Sequence, residues 1–184
     1  MLTDSAARWL LVLHTALGVA AVGAATHLLL WLWRRKARAL RFAWLVVGLM
    51  AGAFVAGNAM YPTYKVEVRA AYLESPGAVT AQAAAHERDV ARVAAREAAT
   101  PSQPTATMTI VRRAAQAARW FDVKEHWVAL GLLAAVALAC LLAIREAAEA
   151  PVLRPVLLGL AGIVAGSAWL AAIVGVVVAS YRAV

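Results

Sequence analysis

The chain has 184 residues, of which 64% are hydrophobic and only 15% charged, with a formal charge of +8. A soluble domain is about 45–50% apolar and about 25% charged, and a globule of about 150 residues hides only about 70% of its unfolded surface. This composition excludes a soluble enzyme and makes lipid part of the solvent. The single cysteine, Cys140, excludes an intramolecular disulfide framework and a cysteine-based zinc site. The positive charge lies largely beside apolar runs, a membrane signature rather than one of nucleic-acid binding.

Four apolar stretches, about 9–33, 42–60, 127–144 and 155–181, are long enough to cross a hydrocarbon layer that needs roughly 20 helical residues. Four continuously apolar spans fit helices and not a barrel, because lipid leaves backbone groups no partner outside a helix. The fold class expected is an all-α integral membrane protein: a four-helix bundle with a long, partly helical extracytoplasmic segment, 61–125, between the second and third spans. The first span ends in Arg34-Arg35-Lys36 and lacks a small-residue cleavage site, so it reads as a retained helix. Arg34, Arg35, Lys36, Arg38 and Arg41 place five positive charges and no acid between the first two spans, so the positive-inside rule makes that loop cytoplasmic and both termini extracytoplasmic. Trp9, Trp120 and Trp127 then fall at outer ends, and Trp31, Trp33 and Trp44 at inner ends. Trp169, in mid-span, breaks the pattern. The arginine- and alanine-rich composition fits a bacterial inner membrane.

Between Tyr61 and Glu125, nine basic and seven acidic residues nearly balance. Tyr61, Tyr64, Val68 and Tyr72 recur at helical spacing, so the second helix is expected to continue past a kink at Pro62 and stop at Ser75-Pro76-Gly77. From Ala78 to Ala99 an alanine-rich helix carries Arg88, Arg92 and Arg96 on one face. That stripe is either a solvated face held by pairs such as Asp89 with Arg92, or a contact for anionic headgroups or a partner subunit. Pro101-Ser102-Gln103-Pro104 ends it, and a short basic helix, Met108–Arg119, is expected before the third span.

Close helix contact in lipid needs small residues. Gly48, Gly52 and Ala56, then Gly159, Gly162 and Gly166, and finally Gly18, Ala21 and Ala25, form three such faces. They predict a compact bundle, and serve an oligomer or a partner subunit equally well.

Ionisable groups inside a bilayer point to function. His14 and His126 fall at similar depth on different helices, where two imidazoles can ligate one haem iron axially. His27 lies thirteen residues after His14, which rotates it to a different face, and with three membrane histidines the chain by itself cannot hold two bis-histidine haems. The resemblance is to small four-helix b-type membrane cytochromes as a class. Against it stands a packing role, in which His14 and His27 each hydrogen bond to a neighbouring helix or carbonyl.

Asp122, Glu125 and His126 share a helical face and form an alternative metal set, while Asp122 and Glu125 also have the spacing of a capping box at a helix start. With Asn58, Tyr61, Tyr64, Lys65 and Glu67 they outline a polar pocket suited to a quinone, a haem edge or a lipid headgroup. His86 reads as a wet-face residue, and Cys140 as a small packing residue. Two functions follow as expectations. One is an electron-transfer subunit holding haem b between His14 and His126 and exchanging electrons with quinol or a partner protein. The other is a cofactor-free accessory subunit of a larger membrane complex. Membrane lipid and other membrane subunits, or further copies of the chain, are the expected partners.

Overall fold

The computed structural model describes residues 5–34, 39–97, 107–144 and 150–180, without the side chains of 90, 93, 94, 96, 97 and 107–109. The described regular structure is helical throughout: α1 (Ser5–Trp33), α2 (Ala39–Tyr64), a π-helical segment (Lys65–Leu73), α3 (Pro76–Glu97), α4 (Thr107–Ala143), a short 3-10 turn (Pro151–Leu153) and α5 (Arg154–Ser180). Four of the helical stretches are long and apolar enough to cross a membrane. Their outer surface fits that environment, since Val19, Leu133 and Val176 are each at least 67% exposed without a polar partner to justify it.

α1 packs on α2 and α5, and α4 packs on the same two helices, so α1 and α4 stand diagonally across a four-membered ring. Two separate apolar layers fill it. One, nearer the α1–α2 turn, is built from Ala25, Leu28, Val46, Met50, Leu138, Ala139, Leu157 and Val164. The other, at the far end of the bundle, gathers Ala7, Met60, Tyr64, Val68, Ala114, Ala118, Val174 and Val178.

The small-residue faces divide. Ala21, Ala25 and Ala56 are buried as expected, and a Cβ on Gly52 would stand 3.2 Å from Leu17 Cδ1. Gly18, Gly48, Gly159, Gly162 and Gly166 have only open space where a Cβ would point, so they do not hold this bundle together. Among the glycines the closest approach is at Gly131, which belongs to none of the three faces: a Cβ there would fall 2.5 Å from Ser167 Cβ and 3.2 Å from Met50 Cε. Spacing shows which glycines share a face, but not which way that face turns.

Trp169 is explained by a bond between the neighbouring helices α5 and α1, its Nε1–H donating to Thr26 Oγ1 at 3.0 Å. Cys140 is exposed on the outer face of α4 rather than packed inside.

The expected break before the third span is absent. α4 runs unbroken for 37 residues, about 55 Å at 1.5 Å per residue against a hydrocarbon thickness of about 30 Å. Residues 107–143 carry one glycine and no proline; the change from polar to apolar composition marks a change of surroundings, not of backbone. Met108–Arg119 is therefore the first part of the third spanning helix. At the other side, α2 does continue past Pro62, but as a π-helix, whose N–H groups reach five residues back. It ends where Glu74 N–H donates to Arg69 O at 2.9 Å. Ser75 then caps α3, accepting weakly from Ala78 N–H at 3.4 Å, with Pro76 at the first helical position. The break Pro101–Pro104 lies outside the described residues.

Candidate functional site

Apart from His27, the polar residues singled out by the sequence collect at the far end of the bundle and in the gap between its two apolar layers. On α1 the gap falls at His14, on α2 at Ala53 to Gly57, and on α4 at Lys124. His14 lies against α2: its Nδ1–H donates to Ala53 O at 2.7 Å, and a Cβ on Gly57 would come within 3.1 Å of the ring. Glycine at 57 is what lets the imidazole lie flat enough to reach a main-chain carbonyl on the next helix. Lys124 enters the gap from α4. The residue is only 9% exposed, Nζ stands 4.8 Å from the Phe121 ring centroid, and its charge is within electrostatic reach of His14. Composition alone assigned Lys124 to the wet segment; its inward face follows only from the continuity of α4, and periodicity counted from buried Ala117 and Ala118 would have found it.

Below the gap an aromatic stack joins α2 to α4. Tyr64 and Phe121 are stacked with centroids 4.1 Å apart, and Tyr61 lies 6.4 Å from both. The Tyr64 hydroxyl is buried with no hydrogen-bond partner among the described residues. Beyond the stack, Arg69 in the π-helix donates from Nε to Glu74 Oε1 at 2.7 Å and from Nη1 to Asp122 Oδ1 at 2.6 Å. Asp122 is thus the docking point of the π-helix on α4. It lies well inside α4 and does not cap a helix, which overturns the capping-box reading; with no helix start at 122 there are no free N–H groups there to cap.

His126 turns away from the gap. Its ring is exposed, and Nδ1–H donates to Asp122 O one turn back on its own helix at 2.9 Å. His14 and His126 therefore stand on diagonal helices, one directed to α2 and one to the exterior. Among the described residues no group of three or more His, Cys, Asp or Glu is placed to hold a metal ion, so Asp122, Glu125 and His126 do not gather into one. His27 is exposed beside an aromatic pair, 5.0 Å from Trp31 and 5.2 Å from Phe42 between ring centroids. Asn58 is exposed and donates to Phe54 O in its own helix.

On α3, His86, Arg88 and Arg92 are all exposed. Arg88 Nε–H donates to Ala84 O at 3.0 Å, and Arg92 pairs with Asp89 at 3.2 Å. The Arg96 side chain lies outside the described residues. α3 is anchored by Val79, which is 2% exposed, while its stretch from Ala84 to Asp89 is uncovered.

No protein-family model, curated protein or solved structure matches this chain.

Proposed function

We propose that the chain is an accessory subunit of a larger membrane complex, embedded by its four spans and docked through the outward glycine face of α5. The observation that carries this reading is that Gly159, Gly162 and Gly166 are exposed and open while the bundle is closed by other residues. In lipid, a row of small residues lets a second helix approach closely and gain packing that lipid tails do not provide. The uncovered α3, with Arg88 and Arg92 outward and Arg96 on the same helical face by spacing, supports a second contact with anionic headgroups or the partner's polar surface. In this reading the membrane is a bacterial inner membrane and both termini are extracytoplasmic. The direct test replaces Gly162 with leucine: the purified chain should remain folded, while its recovery within a defined larger assembly is lost. Unchanged assembly with leucine at all three glycines would remove the α5 face from the account.

One observation favours the electron-transfer reading. Both His14 and His126 donate Nδ1–H to a main-chain carbonyl, which leaves each neutral imidazole with an unprotonated Nε2, the form that ligates iron. A haem shared by these two residues, with quinol as electron donor in that scheme, requires α4 to turn so that His126 faces α1. A reduced-minus-oxidised difference spectrum of the purified chain decides it: low-spin haem bands lost on His14→Ala and on His126→Ala support the ligation, and their absence from folded wild type rejects it.

A further inference from the structure

The end of the bundle at the α1–α2 turn carries an arginine pair that the docking reading does not use. Arg154 opens α5 and reaches across to α1, where its Nη2–H donates to Trp33 O at a long 3.3 Å. Its Nε is buried and has no partner among the described residues. The residue that follows that carbonyl, just past the end of α1, is Arg34, which is exposed. Arg154 thus reaches the carbonyl of the residue that precedes Arg34, so two arginines from opposite sides of the α1–α5 seam come to one end of it, and Arg154 has a buried N–H that no described residue satisfies. Arg41, exposed near the start of α2, adds a third positive charge at the same end of the bundle. Positive charge gathered at one end of the bundle attracts an anion, and a guanidinium edge fits two oxygens of a phosphate group better than a point charge does.

The surroundings say which anion. Trp33 and Trp44 are 67% and 49% exposed at this end, and Trp31 packs against Phe42 in a tilted pair, 4.6 Å between centroids. Exposed indoles mark the headgroup level of a membrane, where the phosphate present in quantity is that of lipid. We propose that the seam between α1 and α5 at Arg34 and Arg154 binds the phosphate of an anionic lipid headgroup. The lipid satisfies the Arg154 Nε–H, neutralises the pair and fixes α5 against the end of α1. This inference stands apart from the glycine face of α5 and does not depend on which leaflet the turn occupies.

The test uses the full chain in nanodiscs of phosphatidylcholine containing phosphatidylglycerol, with retained lipid counted by native mass spectrometry. Wild type should retain phosphatidylglycerol in preference to phosphatidylcholine. Arg34→Gln and Arg154→Gln should each reduce that preference by about fivefold, the effect of one arginine at an anionic surface, and Arg112→Gln, exposed on α4 at the opposite end, should leave it unchanged. Helical circular dichroism checks that each variant folds, and Arg34→Gln, which removes an exposed side chain, keeps the test informative if Arg154→Gln does not fold. Equal retention of the two lipids by wild type overturns the proposal. So does displacement of the lipid by millimolar inorganic phosphate, which would make the site one for free phosphate.

Discussion

Arg69 Nη1 stands 2.6 Å from Asp122 Oδ1 and so joins the π-helical extension of α2 to the middle of α4, across 53 residues of sequence. The same guanidinium holds Glu74, where the π-helix ends. The pair is partly solvated, with Arg69 22% and Asp122 42% exposed at the side chain, so its worth is that of a surface bridge with good geometry and not of a buried one.

Asp122→Asn should therefore lower the stability of the purified chain by no more than about 1 kcal/mol, while raising amide exchange across residues 65–80, because the segment loses its tie to α4. Asp122→Asn and Arg69→Gln together should cost less than the sum of the single changes. Unchanged exchange in the single variants would show that Val68 and Leu73, both buried, hold the segment unaided.

Two glycines separate packing within the bundle from packing outside it. Gly131→Ala puts a methyl 2.5 Å from Ser167 Cβ, so α4 and α5 must part, at a cost of about 1–3 kcal/mol. Gly162→Ala meets nothing within 4 Å and gains helix propensity, so the isolated chain should be as stable as wild type or slightly more so. Denaturation in mixed detergent micelles measures both. Equal effects of the two substitutions would mean that the α4–α5 crossing is misplaced.

His14 and Gly57 act as a unit. Gly57→Ala crowds the imidazole and should cost about as much as His14→Ala, which removes the bond to Ala53 O, and the double variant should be little worse than either. A double-mutant cycle with a coupling of about 1 kcal/mol is the expected result. Additive effects would show that the ring does not depend on the glycine for its place.

The orientation rests on the basic turn and is checked by labelling. In a Cys140→Ala background, cysteines at Ser5 and Ser180 should react with a membrane-impermeant thiol reagent added to intact cells, and a cysteine at Arg34 should react only after lysis. The opposite pattern reverses the orientation and places α3 in the cytoplasm.

Much of this architecture is legible in the residues. Apolar length gives the four spanning helices, and Ser75-Pro76-Gly77 marks the one interhelical boundary in the middle segment that the described residues include. What the residues hide has physical causes. A polar stretch such as Arg119 to His126 looks like a boundary, yet nothing in it stops a helix, so composition misplaces the start of α4 by about twenty residues and with it the roles of Asp122 and Lys124. Gly131 is unmarked because a single contact needs no repeat. The π-helix escapes because its spacing of five is read only from main-chain bonds, and Tyr61, Tyr64, Val68 and Tyr72 fit ordinary helical spacing equally well.

The central claim is that the glycine face of α5 is covered by a helix of another membrane protein. Photo-crosslinking residues placed singly at 159, 162 and 166 in native membranes test it most directly, with Leu133, exposed on α4, as the control. The account predicts one discrete protein adduct of the same mass from all three α5 positions, distinct from the mass of a second copy of the chain, and lipid adducts from position 133. Lipid adducts alone from α5, or an adduct at twice the chain's own mass, would contradict it.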